Sequence, residues 1–215
     1  MTNKIKIDFV SDVSCPWCII GLKSLEAALE RLQDDVVADM HFQPFELNPK
    51  MGPEGQNIVE HIGQKYGATP EQSAQTRALI RERAAAVGFE MRTDEESRIY
   101  NTFDAHRLLH WAGLEGKQAA LKHALFKAYF TDGAVMSDRP TLADIAQKSG
   151  LDRRKADEIL AGDSYADEVR TQERFYQEQG ISAVPAIIIN DKYLISGGQP
   201  VDVFERALRE IAAAA

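Results

Sequence analysis

The sequence predicts an α/β protein in which a sheet is assembled from the two ends of the chain and interrupted by a large all-helical insertion. Three observations predict it. Strand-like alternation is confined to residues 1–50 and to a short stretch over 184–195. Between these regions, from about residue 56 to 163, apolar residues recur almost only at helical spacing. Segments rich in glycine and proline, 48–55 and 196–200, mark the breaks.

Residues 4–10 alternate, with Ile5, Ile7 and Phe9 on one side and Lys4, Lys6 and Asp8 on the other, which predicts a strand. Ile19, Ile20, Leu22, Leu25, Leu29 and Leu32 then recur at helical spacing as far as Gln33, and Asp34-Asp35 ends the pattern. A second strand is expected over 36–47, with Met40, Phe42 and Phe45 apolar. Strand, helix and strand in this order predict parallel strands joined by a crossover helix. Inside the insertion the spacing predicts helices over 58–66, 70–87, 102–111, 116–130, 141–149 and 152–160. Thr69 and Pro70 supply an N-cap and a first-position proline to the second of these. A helix over 165–179, a strand over 184–189, a turn at Asn190-Asp191, a strand over 192–195 and a helix over 201–213 complete the chain. The expected domains are therefore 1–50 with 164–215, and an insertion over 51–163.

The formal net charge of -8 argues against nucleic-acid binding and against docking on an anionic membrane. Charges at Lys4, Lys6 and Asp8 interrupt the N-terminal apolar pattern, and no apolar run approaches the ~20 residues of a bilayer span. A cytoplasmic protein is expected.

The chain has two cysteines, Cys15 and Cys18, at the junction of the first strand and helix. A bond between them would close a very short loop and add little stability, so chemistry explains the pair better than stapling. Pro16 suits the first helical position, which makes Cys15 the N-cap. Its side chain is expected to accept from the amides of Trp17 and Cys18, and with the helix dipole these favour an exposed thiolate at Cys15. Cys18, three residues on, faces the same side and is expected to be more buried, with a higher pKa. It is placed to resolve a mixed disulfide formed at Cys15. A zinc site would need four ligands, and there is no second cysteine pair. The histidines His41, His61, His106, His110 and His123 are scattered, and His106 and His110 lack an intervening glutamate. No metal is expected; two unrelated buried thiols are the plainer alternative.

Pro185 opens an apolar strand run, where its missing N–H fits a strand start or edge. Taken alone it would be trans. With a Cys-x-x-Cys pair at the other end of the same domain, the combination resembles a thioredoxin-like sheet, and by that resemblance a cis bond after Val184 is expected. That arrangement would leave the Val184 N–H and C=O free to pair with a substrate backbone.

Four stretches, 9–18, 101–108, 180–189 and 196–200, resemble the DsbA-like branch of the thioredoxin superfamily, and more narrowly its FrnE-type dithiol oxidoreductases. The resemblance covers nearly the whole chain. It implies Cys15 as nucleophile, Cys18 as resolving thiol and Pro185 as the cis-proline, with Pro16 and Trp17 tuning the redox potential. The same branch also resembles the glutathione-using kappa-class transferases and 2-hydroxychromene-2-carboxylate isomerases. Those enzymes typically carry a serine near the place of Cys15, lack the second thiol, and tend to have an Asp-Arg pair where this chain has Gly198-Gln199-Pro200.

Four further residues are candidates for the cleft. Asp12, three residues before Cys15, is expected as a solvated loop acid, with proton shuttling as the lesser reading. Asn101 and His106 are expected as a helix cap and a partly buried histidine, or else as cleft-lining groups. Gly197, with Gly198, allows close backbone approach to a ligand or simply a tight turn. Trp111, Tyr129 and Phe130 are expected in the core.

The expected reaction is thiol–disulfide exchange or disulfide isomerisation on a disulfide or thiol substrate, protein or small molecule. No metal or dissociable cofactor is required, and glutathione is a candidate exchange partner. A glutathione-dependent isomerase or transferase of a small aromatic substrate is the nearest rival, and a redox-regulated holdase the next. A homodimer is an open expectation.

Overall fold

The structure is a computed structural model, and it describes residues 3–214. The chain opens with strand β1 (Asn3–Ser11), helix α1 (Pro16–Arg31) and strand β2 (Val36–Pro44). The insertion follows as β3 (Gln56–Asn57), α2 (Ile58–Tyr66), α3 (Pro70–Ala86), β4 (Arg98–Ile99), α4 (Phe103–Leu114), α5 (Gln118–Phe130), α6 (Arg139–Lys148) and α7 (Arg153–Ala161). The chain then returns through α8 (Ala166–Glu178), β5 (Ala186–Ile189), β6 (Tyr193–Ser196) and α9 (Val201–Ala213).

The main sheet has the order β2-β1-β5-β6. β1 runs parallel to β2, with Ile7 opposite Met40, and antiparallel to β5, with Ile7 opposite Ile189. Asn190 and Asp191 turn β5 into β6 with φ of 52 and 54, the left-handed pair that two-residue hairpins favour. Alternation along β1 sorts its side chains between two layers. Ile5, Ile7 and Phe9 pack with Ile19, Leu22 and Leu25 of α1 and with Phe204 and Leu208 of α9. Val10 faces the other way, onto a smaller core with Phe45, Tyr176 of α8 and Ile181.

The inserted helices α4 to α7 have a core of their own, built on Leu108, Trp111, Leu121, Leu125, Leu142 and Ile159, and Val13 from the loop after β1 joins it. Phe126 and Phe130 of α5 instead reach the sheet core. Gln118 docks α5 on the edge of β2: its Oε1 accepts from the Phe42 amide and its Nε2 donates to the Phe42 carbonyl, both at 2.9 Å. One side chain thus occupies both backbone groups that an edge strand would otherwise leave bare.

The expected α/β fold with a helical insertion is borne out. The insertion is not wholly helical, however, because β3 and β4 pair antiparallel, Gln56 opposite Ile99. Two-residue strands are too short to show alternation. β2 ends at Pro44 rather than at 47, which leaves Phe45 to Leu47 in a loop, and β5 begins at Ala186, because Val184 and Pro185 belong to the preceding loop.

Candidate active site

The loop between β1 and α1 delivers both cysteines. Cys15 is the N-cap of α1 with extended backbone, Pro16 takes the first helical position, and the Cys18 amide donates to the Cys15 carbonyl at 3.1 Å. The expected side-chain cap is not made. The Cys15 thiol turns the other way and donates to the Val184 carbonyl at 3.6 Å. Sulfur is large, and a contact to the facing loop competes with the first-turn amides. Both thiols are free. Cys15 is 4 % exposed and Cys18 0 %, so the expected order of burial holds while Cys15 is more enclosed than the sequence suggested. Half-buried Pro16, Trp17 and Val184 form its surroundings at the surface. Burial, and then the Cys15 thiol beside it, push the Cys18 thiol well above the ordinary thiol range, against the pull of the Lys122 charge.

The Val184–Pro185 peptide is cis. The Pro185 carbonyl accepts from the Gly197 amide at 2.8 Å, which pins the loop to the start of the β6–α9 connection. Among the described residues the Val184 amide donates to no protein group, whereas its carbonyl is taken by Cys15, so half of the expected free pair is already occupied. Gly197 has φ 80, a left-handed conformation that suits glycine. A Cβ on Gly198 would lie 2.9 Å from the Trp17 carbonyl, and one on Gly21 would lie 2.9 Å from the Gly198 Cα. The close approach expected of Gly197-Gly198 toward a ligand is therefore made to the backbone of α1.

Behind the cysteines lies a cluster of enclosed charges. Asp12 is 0 % exposed, which corrects the expectation of a solvated acid. Its carboxylate accepts from the Leu47 amide at 2.7 Å and the Ser14 amide at 3.2 Å, and Oδ1 lies 3.5 Å from His106 Nε2. Burial pushes the Asp12 carboxyl up, but His106 and the two amides outweigh it and hold the group below the usual carboxylate range. His106 is fully rather than partly buried, and His110 packs on Tyr165 with ring centroids 5.2 Å apart and ring planes tilted by 36°. The N-cap of α4 is Thr102, which makes no side-chain cap; Asn101, one residue earlier, accepts from the Phe103 amide at 2.9 Å, and its Nδ2 reaches Glu46 at 3.5 Å. Glu46 pairs with Arg170, which also meets Glu173 at 2.8 Å and lies 3.8 Å over the Phe103 ring. Among the described residues no group of three or more His, Cys, Asp or Glu side chains is placed to hold a metal.

Residues 6–209 match the family described as DSBA-like thioredoxin domain. The chain belongs to that family. Among solved structures, a probable DsbA oxidoreductase from Streptomyces coelicolor, SCO1869, shares 34% identity over 98% of this chain and 90% of its own, with a TM-score of 0.90. The uncharacterized protein YwbO of Bacillus subtilis (strain 168) is 28% identical over 98% of each chain. Two more remote structures share the fold alone. A 2-hydroxychromene-2-carboxylate isomerase covers 97% of each chain at 15% identity and a TM-score of 0.72. The cytosolic disulfide reductase DsbM from Pseudomonas aeruginosa, solved with GSH, covers 97% of this chain and 99% of its own at 16% identity and a TM-score of 0.60.

Within this DSBA-like chain, the segment 101–108 serves architecture as much as the site. Buried Arg107 donates to the carbonyls of Ile159, Gly162 and Ser164, which closes the end of α7 onto α4, and pairs with Asp104 at 2.6 Å. Sequence reasoning missed Lys122, Glu46 and Gly21. Lys122 sits four residues before Phe126 on the stripe of α5 that also holds Leu121 and Leu125, but its residue type reads as solvated. Glu46 and Gly21 carried no signal, since their neighbours come from α8 and from the β6–α9 connection.

Proposed function

We propose that this DSBA-like chain is a dithiol–disulfide oxidoreductase in which Cys15 attacks and Cys18 resolves. The observation that carries the reading is the placement of Cys15 at the first turn of α1, facing Val184, with Cys18 enclosed one turn behind. Attack on a disulfide requires the Cys15 thiolate. That thiolate attacks one sulfur of a substrate disulfide, forming a Cys15–substrate bond and releasing the other substrate sulfur as a thiolate. Cys18 then attacks the Cys15 sulfur, closes the Cys15–Cys18 disulfide and releases the second substrate thiolate. The Val184 amide is a donor for the backbone of a bound peptide, and its carbonyl becomes an acceptor once the Cys15 thiol has ionised. Trp17 and Pro16 frame the approach to Cys15.

Glutathione fits as the small thiol that restores the starting state, a reading supported by the GSH-bound DsbM of like fold. A cytoplasmic setting belongs to the same proposal. Among the described residues no helix is long and apolar enough to cross a membrane. The rival isomerase needs no resolving thiol, and the presence of Cys18 directly behind Cys15 favours the dithiol reading over it.

The test is equilibration in glutathione redox buffers with thiol counting. A single two-electron transition is expected, and Cys18→Ser is expected to accumulate a mixed disulfide at Cys15. A potential near the thioredoxin value of about −270 mV would mark a reductase, and one near about −120 mV an oxidant or isomerase. Failure to form the Cys15–Cys18 disulfide at any poise would sink the mechanism and leave the glutathione-dependent isomerase in front.

A further inference from the structure

Where the inserted helices meet the sheet, β2, α4, α5 and α8 enclose a cavity of about 10 Å³, room for one small occupant. Its polar lining is Lys122 of α5, His106 and His110 of α4, Gln43 of β2 and Gln172 of α8. Lys122 and His106 are 0 % and 2 % exposed, whereas Gln43, His110 and Gln172 are half-buried. Among the described residues neither Lys122 Nζ nor His106 Nε2 makes a hydrogen bond. The aromatic rings nearest the ammonium, Phe126 and Phe42, have their centroids 4.9 and 5.9 Å from Nζ, and a ring face is a weak substitute for a counter-ion. The two carboxylates at the borders of this region are engaged elsewhere. Asp8 accepts from Gln43 Nε2 at 2.6 Å, and Asp12 accepts from the amides of Leu47 and Ser14.

We propose that this cavity is a binding site for a single monatomic anion, chloride or bromide, held between Lys122 Nζ and His106 Nε2. Charge decides against a neutral occupant. An ammonium carries three donors and no acceptor, so it calls for an acceptor, and an unpaired buried cation is costly. A water molecule supplies the acceptor but leaves the charge uncompensated, whereas a halide supplies both. The second donor is the imidazole N–H at His106 Nε2. Size decides against a larger ligand, because sulfate, phosphate and carboxylates exceed a cavity of about 10 Å³. The half-buried side chains of Gln172 and His110 border it and can turn to admit an ion somewhat larger than water. Desolvation pulls the Lys122 ammonium down to about 8, so the charged form still predominates at pH 7. The titratable groups around it are His106 and His110 from α4, Asp12 from the loop after β1, and the two cysteines, while β2 and α8 bring only the amides of Gln43 and Gln172 to the cavity. The site has no cysteine in its lining and stands apart from the dithiol reading.

Thermal unfolding of the reduced chain at fixed ionic strength, with sodium gluconate exchanged stepwise for sodium chloride or sodium bromide, reads the site by linkage. A ligand that binds only the folded state raises the midpoint with its concentration. The wild-type midpoint at pH 7 is expected to rise by about 3–5 °C for each tenfold increase in halide above the dissociation constant. The increment is expected to fade as the pH passes 8 and Lys122 loses its proton. Lys122→Met keeps an unbranched chain of similar length without the charge. It is expected to show no response to the exchange, and its midpoint in gluconate is expected at or above that of the wild type, because an unpaired charge has gone. A crystal of the wild type grown in bromide needs no variant, and is expected to show an anomalous scattering peak between Lys122 Nζ and His106 Nε2. A wild-type midpoint indifferent to the exchange overturns the proposal, and so does an equal rise in Lys122→Met, which would place the halide effect elsewhere on the chain. A bromide crystal with an ordered water and no anomalous peak in the cavity overturns it as well. None of these readouts depends on whether the Cys15–Cys18 disulfide forms, so failure here and failure of the dithiol reading are told apart.

Discussion

Asp12 Oδ1 and His106 Nε2 lie 3.5 Å apart with both side chains closed to solvent, and this contact ties the loop before the cysteines to the inserted helices. The same carboxylate holds the amide of Ser14 in its own loop and that of Leu47, so the loop after β2 and the inserted helix α4 converge on one acid. Asp12→Ala leaves two buried N–H groups without an acceptor and is expected to lose roughly 3 kcal/mol of stability. Asp12→Asn keeps one acceptor oxygen and is expected to lose about 1–2 kcal/mol. The folded carboxyl is held below its ordinary value of 3.8, so the stabilisation from its charge is present above that pH and is lost as the pH falls further. Urea unfolding at pH 7 and pH 3 checks this: the gap between wild type and Asp12→Asn narrows at pH 3, and a constant gap counts against a charged Asp12.

Cys18 titrates in the opposite sense. Its folded thiol lies well above the ordinary 9.0, so the neutral thiol stabilises the fold below pH 9. That contribution is lost as the pH rises from 9 through the folded value, because the unfolded state has ionised first. The reduced wild type is expected to lose stability across this window more steeply than Cys18→Ser. Brief treatment with iodoacetamide at pH 7, read by peptide mass spectrometry, is expected to label Cys15 and spare Cys18. Equal labelling of both would contradict the burial order on which the two roles depend.

Arg170 stands between Glu46 and Glu173, whose side chains are 2% and 6% exposed. Burial, and then the Glu173 charge, push the Glu46 carboxyl up even with Arg170 present. Arg170→Ala strips the cation from two enclosed acids. It is expected to lose about 2 kcal/mol at pH 7, less than a fully buried pair would, because water reaches the arginine. Protonation of Glu46 relieves the repulsion, so the deficit should shrink between pH 7 and pH 5. A thermal-melt series over that range distinguishes this from a loss of packing on Phe103, which would not vary with pH.

The parts of the site that could be read in the sequence are those whose signal is local. Alternation in β1, the proline at the start of α1 and the apolar run after Pro185 each declare themselves within a few residues, and the cysteine pair sits at a boundary that such patterns define. Asp12 misled because nothing within reach of it in sequence shows that the Leu47 loop and α4 close over it. Lys122 was hidden by its residue type, since a lysine on a helix is ordinarily a solvated one. Its burial follows from how α5 is docked by Gln118 on the edge of β2, which only the tertiary fold displays.

The close approach of Gly21 and Gly198 constrains the geometry around Cys15. A Cβ on Gly21 would also lie 3.2 Å from Pro185 Cγ, so α1, the Val184–Pro185 loop and the β6–α9 connection meet at one glycine. A methyl group on Gly198 would press on the Trp17 carbonyl, which is backbone and has no rotamer to yield. Gly198→Ala is expected to lose about 1–3 kcal/mol by overpacking. The displacement must be taken up by α1 or by the Pro185 loop, and either moves Cys15 relative to the Val184 carbonyl. Gly197→Ala adds its methyl against nothing closer than the Gln199 Nε2 at 3.7 Å, so it pays only for its positive φ and leaves α1 in place. The two variants are thus expected to lose comparable stability while only Gly198→Ala slows the attack of Cys15 on 5,5′-dithiobis(2-nitrobenzoate), followed by stopped flow. Equal rates of that attack in the two would show that the thiol geometry does not depend on this contact.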